Sequence, residues 1–235
     1  MDTTLSQARR MNTPRAIAFC QCFNGALEFQ AGNWDDAETA LRESIRLNAE
    51  IGAASGEAFA RQRLGVVLTT RGQLEEGKAV LEEGAAVAER AIMRAHCLTR
   101  IYATLARNRL AAGDVQAADS ALALGLTMSE RHGHCSTCNA LLLPAAVSVR
   151  LAQNDIEGAA AFSSQLDAAA EEYASHMWRG MARQSRGELF AANGKFQKAE
   201  AFYREAHQDF LEAGNQYEAA RCLEAISELE RDGSW

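Results

Sequence analysis

A short phrase returns five times at nearly constant spacing: Gly32-Asn33-Trp34, Gly72-Gln73-Leu74, Gly113-Asp114-Val115, Asn154-Asp155-Ile156 and Gly194-Lys195-Phe196. Each is a helix-breaking Gly or Asn, then a polar residue, then an apolar one, and successive starts lie 40, 41, 41 and 40 residues apart. A step of that size, sustained along most of a chain, specifies stacked units that each bury a face against their neighbours. One globular core with a single set of long-range contacts is excluded.

The residues around each turn define the unit. Five positions after the Gly or Asn stands a small residue, Ala37, Gly77, Ala118, Ala159 or Ala199, and four further on a bulky one in most copies, Leu41, Leu81, Leu122 and Tyr203. Seven positions before the turn is another small residue in four copies, Gly25, Gly65, Ala106 and Gly187. Small residues on two segments let helix backbones approach closely, and the bulky residue fills the gap between them. Each unit is therefore a helical hairpin. The fourth departs, with Val147, Ser163 and Leu166 where the others carry small, bulky and small residues.

Two prolines, 48% hydrophobic residues and no alternating β-branched run leave an all-α chain. No apolar stretch reaches the ~18 residues of a membrane span, and Met1-Asp2-Thr3-Thr4 lacks the start of a signal peptide, so a cytoplasmic protein with six reduced cysteines is expected. A net charge of −7 speaks against direct binding to nucleic acid, which needs a clustered basic surface. There is no phosphate-binding glycine loop, no Gly-x-Ser-x-Gly elbow and no His-Glu-x-x-His helix, so the chain reads as a non-enzyme. Residues 1–12 read as a flexible polar tail. Thr13-Pro14 suits a helix start, and residues 13–235 read as one repeat domain. A last amphipathic helix from Tyr217 to Leu229, with Tyr217, Ala220, Leu223, Ala225, Ile226 and Leu229 available for burial, would cap it.

Leu64-Gly65 with Gly77, Leu81 and Gly84, and Gly187 with Ala199, Tyr203 and Ala206, resemble the tetratricopeptide repeat (TPR), although the step exceeds the ~34 residues of the standard repeat. The resemblance implies a right-handed α-solenoid of five helical hairpins plus a C-terminal capping helix. It also implies that the first helices line a concave groove that takes a protein or peptide, with Gln62, Arg100, Arg107 and Gln184 among its residues. Arg100 and Arg107 lie two helical turns apart and point the same way; they could clamp a carboxylate, or be solvated or internally paired. The run His134-Cys135-Ser136-Thr137-Cys138, followed by Leu141-Leu142-Leu143-Pro144-Ala145-Ala146 and Asn154-Asp155, resembles the helical-repeat regions of large actinobacterial LuxR-type regulators. That likeness implies a sensor or partner-docking array acting upstream of gene expression.

The segment from His132 to Cys138 is unlike the rest of the repeat. A Cys-x-x-Cys pair, Cys135 and Cys138, places two thiols at half a tetrahedral zinc site. Further ligands can be sought in His132, His134 and Cys97, which precedes Cys138 by one 41-residue repeat and has His96 beside it; His176 lies one unit later. Three readings stay open: zinc binding by Cys97, Cys135, Cys138 and His132 or His134; a reversible Cys135–Cys138 disulfide; and plain structural cysteines. With them stays a second function class, a metal, thiol-redox or small-molecule sensor beside the interaction scaffold. Pro144 should end or kink the helix after the cysteines.

Overall fold

Each copy of the phrase closes the same backbone turn. In the computed structural model, which describes residues 2–133 and 135–231, the Gly or Asn is left-handed in every copy, at φ 88°, 76°, 77°, 59° and 69° for Gly32, Gly72, Gly113, Asn154 and Gly194. The next amide donates to the carbonyl five residues back, as Asn33 to Glu28 at 2.8 Å and Gln73 to Leu68 at 2.9 Å. This is the Schellman closure, which satisfies carbonyls that the ending helix leaves free. The following polar residue then caps the next helix. Asp114 and Asp155 do so with their carboxylates, which accept from the Ala117 and Gly158 amides at 2.9 Å.

The described residues form twelve helices and no strand: α1 (Asp2–Arg10), α2 (Pro14–Gln30), α3 (Trp34–Glu50), α4 (Ala54–Thr70), α5 (Leu74–Ala88), α6 (Arg94–Ala111), α7 (Val115–Arg131), α8 (Ser136–Ala152), α9 (Ile156–Tyr173), α10 (His176–Ala192), α11 (Phe196–Glu212) and α12 (Gln216–Arg231). The pairs α2/α3, α4/α5, α6/α7, α8/α9 and α10/α11 are the five hairpins, closed at the five expected turns. No described helix is long and apolar enough to cross a membrane.

The chain divides into two compact units, Met1–Cys138 and Asn139–Trp235, where the sequence suggests one domain over 13–235. In a repeat array each hairpin touches only its neighbours, so no shared core binds distant units. In the first unit α4 packs on both α2 and α6, while α3 packs on α4 and α5 on α6, so the first helices form one continuous face. Its cores are built on Leu41, Leu64, Leu68, Leu81, Leu98 and Ile101. In the second unit α10 packs between α9 and α11, and α12 covers α11, around Leu166, Tyr203, Phe210 and Ile226.

The small-to-bulky pairing is direct. A methyl group built on Gly65 would lie 2.5 Å from Leu81 Cγ, one on Gly25 2.6 Å from Leu41 Cγ, and one on Gly187 2.7 Å from the Tyr203 ring. The fourth hairpin inverts the pair: Val147 stands at the glycine position and Ser163 at the bulky one, both fully buried, and the Ser163 hydroxyl meets that of Ser185 at 2.6 Å.

Three local expectations change. Asp2–Arg10 is helical in place of a tail, with Leu5 and Ala8 on one stripe and Ala8 buried. On α12 the buried stripe is Ala219, Cys222, Ile226 and Leu229, whereas Ala220 and Leu223 are exposed; packing on α11 selects that face over the more apolar-looking neighbours. The helix also runs through Pro144 to Ala152, so the proline does not end it.

Candidate functional site on the first-helix face

Equivalent positions on α2, α4 and α6 stack side chains onto the preceding helix. Phe23 and Arg63 occupy one register and the Arg63 guanidinium sits 4.6 Å from the Phe23 ring centroid. Phe59 and Arg100 occupy another, with the Arg100 guanidinium 5.9 Å from the Phe59 ring. Phe19 and Phe23 lie one helical turn apart with centroids at 4.6 Å, and both are exposed, at 62% and 41%, with Leu27 at 52% one turn further. The result is an apolar stripe on α2 bordered by cations, a surface on which a π-face holds each guanidinium in place.

These two arginines differ from the others nearby. Arg61 pairs with Glu57 and Glu83, Arg71 with Asp35 and Glu38, and Arg109 with Glu75. Arg63 instead donates to Cys22 Sγ at 2.6 Å, and Arg100 donates to the Thr137 carbonyl at 2.8 Å. Neither has a carboxylate partner among the described residues. Arg100 Nε is buried with no hydrogen-bond partner among the described residues. Burial, and then the like charge of Arg63, hold the Arg100 pKa below its ordinary value.

The other residues expected to line a groove fall differently. Arg107 lies half-buried on α6, two turns beyond Arg100. Gln62 is buried and donates to Thr104 Oγ1 at 2.8 Å, so it joins α4 to α6. Gln184 is also buried, within the second unit. Both glutamines therefore offer little side chain to a docked partner. Arg63 is the residue that sequence reasoning missed; its signal was its repeat equivalence to Phe23, forty residues earlier.

The cysteine segment gathers on the same unit. Cys135 precedes the first residue of α8 and Cys138 lies in its first turn. His96 Nδ1 on α6 is 3.2 Å from Cys138 Sγ, and ligand atoms of His96, Cys135 and Cys138 lie within 4.8 Å of one another. Cys97 does not join that group. It is fully buried and its thiol turns to the Ser55 carbonyl at 3.9 Å, because neighbours on a helix diverge by about 100°. Repeat arithmetic thus points to the turn of α6 beside the cysteine pair, where His96 and not Cys97 meets Cys138. His132 borders the same small cavity as His96, Cys135 and Cys138, and His134 lies outside the described residues. His176 makes its contacts in the second unit, with Asp209 and Glu212.

The two thiols of the pair are unequal. Burial, then the adjoining Cys135, pushes Cys138 up to about 12. Burial also acts to raise Cys135, but the Thr137 hydroxyl and the Cys138 amide outweigh it and hold that thiol below its usual value. Burial alone raises Cys97 to about 11 against the attraction of Arg100. All six cysteines are free thiols.

The sequence matches no protein-family model and no curated protein. Its fold is similar to that of solved helical-repeat proteins. BtubC (BKLC) from P. vanneervenii aligns at 15% identity and TM-score 0.55 over 88% of this chain and 92% of that one. A kinesin light chain-like protein of nearly identical TPR-like repeats from Podosopora anserina aligns at 18% identity over 85% of this chain and 97% of that one, with TM-score 0.54, and a single-residue variant of it gives 0.56. The chain is thus a TPR-like stack of helical hairpins, as the repeat phrase implies.

Proposed function

We propose that this chain is a non-catalytic interaction scaffold whose α2–α4–α6 face docks an acidic segment of a protein partner. The observation that carries the reading is the pair Arg63 and Arg100. Both are partly buried, both rest on phenylalanine rings, and neither has a carboxylate partner among the described residues, where most arginines do. A carboxylate brought to these guanidiniums gains a charge-assisted hydrogen bond without the cost of ordering them. Phe19, Phe23 and Leu27 would take apolar side chains of the same segment. TPR-like neighbours support the scaffold class through their fold. A role in regulating gene expression, implied by the LuxR-type resemblance, is a narrower form of the same proposal.

Arg63→Ala with Arg100→Ala should weaken binding of an isolated partner peptide by about 10-fold or more, since each tenfold corresponds to about 1.4 kcal/mol. The wild-type affinity should fall as salt is raised and the variant's much less. Equal affinities and equal salt dependence would remove the arginines from the interface. Helicity measured on both proteins guards against misfolding.

A further inference from the structure

Three side chains of ligand type converge where α6 meets the start of α8: the His96 imidazole and the thiols of Cys135 and Cys138, each within 4.8 Å of the other two. With metal–sulfur bonds of about 2.3 Å and metal–nitrogen bonds of about 2.0–2.1 Å, a tetrahedral ion requires ligand separations of about 3.5–3.8 Å. The 3.2 Å between His96 Nδ1 and Cys138 Sγ is within a few tenths of an ångström of that range. The cavity that these residues border with His132 has a volume of about 20 Å³. That is room for one ion or one water and for no organic ligand.

The surroundings hold the ligands in place. Arg100 donates to the Thr137 carbonyl at 2.8 Å, which fixes the Cys-x-x-Cys turn from α6, and Thr137 Oγ1 lies 3.1 Å from Cys135 Sγ. Outer contacts of this kind orient metal ligands. A second group among the described residues, His176, Asp209 and Glu212, is built differently. Arg179 and Arg183 donate to the two oxygens of Asp209 at 3.3 and 2.6 Å, and Arg179 also lies 2.8 Å from His176 Nδ1, so guanidiniums already fill the place of a cation.

We propose that His96, Cys135 and Cys138 bind one Zn²⁺, with the fourth position open to the cavity that His132 borders. Two sulfurs and an imidazole suit this ion and disfavour Mg²⁺ or Ca²⁺. Two thiolates balance its charge, and the thiol protons leave to solvent as it binds. The ion would tie the start of α8 to α6. Arg100 serves both surfaces, as a docking cation and as the contact that holds the cysteine turn; Arg63 touches Cys22 and no ligand, so Arg63→Ala alone tests docking apart from the metal.

The test uses the full chain, reduced and then loaded with Zn²⁺ or Co²⁺. One Zn²⁺ per chain is expected by elemental analysis, with thiolate-to-cobalt charge-transfer bands in the Co²⁺ form. His96→Gln and Cys135→Ser should each lose more affinity than the ~10–100-fold cost of an outer-contact change, while Cys97→Ser should keep both metal and bands. Circular dichroism confirms that each variant folds. Fully reduced wild type that takes up no stoichiometric metal, metal retained in His96→Gln and Cys135→Ser, or metal lost equally in Cys97→Ser would overturn the proposal.

Discussion

Gly65 tests the packing rule on which the whole stack rests. A methyl group there would lie 2.5 Å from both Cγ and Cδ2 of Leu81, and 3.0 Å from Cδ1. Carbon atoms prefer separations of ~3.5–4.0 Å, so Gly65→Ala forces a displacement of about 1 Å. Leu81 is fully buried and has no open side to move into. Overpacking of this kind costs about 1–3 kcal/mol, against which alanine gains about 1 kcal/mol in helix propensity over glycine. The net expectation is a loss of up to about 2 kcal/mol. In a Leu81→Ala background, itself destabilised by about 2–5 kcal/mol through its cavity, the clash is gone and only the propensity gain remains. There Gly65→Ala should stabilise by about 1 kcal/mol. Urea denaturation of the four proteins gives the cycle directly. The same sign and size of effect in both backgrounds would refute the close approach of α4 and α5.

The inverted pair of the fourth hairpin gives a second cycle: Ser163→Leu should cost about 1–3 kcal/mol by overpacking beside Val147, and Val147→Ala should recover a large part of it, whereas simple additivity in urea melts would separate the two positions. Cys222 sets an alkaline limit. Burial, then Glu218, raises its pKa from 9.0 to about 12, so its neutral form is the stable one in the fold. That contribution is fully present below about pH 9 and is lost between pH 9 and 12 at about 1.4 kcal/mol per pH unit, and Cys222→Ala should reduce the fall in stability over that window by this slope. An unchanged pH profile would contradict the burial of the thiol.

The turns were legible because they are local: a left-handed residue followed by a cap is written in three consecutive letters, as at Gly72-Gln73-Leu74. The hairpin packing was legible because Gly65 and Leu81 recur at one spacing in neighbouring copies. What escaped depends on which side of a helix is covered. Cys97 and His96 are adjacent letters, and only the placement of α6 against α4 and the α8 start decides which meets the cysteine pair. Arg63 carries no mark of its own on α4; only the Phe23 ring of α2 sets it apart from a solvated helix arginine. Gln62 sits on an otherwise groove-like helix, yet its bond to Thr104 draws it between α4 and α6. Leu223 read as core by its hydrophobicity, but α12 docks through the stripe of Cys222 and Ile226.

The most direct test of the docking surface places a photo-crosslinking residue at exposed Phe19 on α2 in one protein and at exposed Leu124 on α7 in another, and identifies the covalently captured peptides. Acidic segments should be captured from Phe19, the capture abolished by Arg63→Ala with Arg100→Ala, with no matching capture from Leu124. Capture of the same partner from Leu124 alone, or capture from Phe19 that survives loss of both arginines, would contradict docking at this surface.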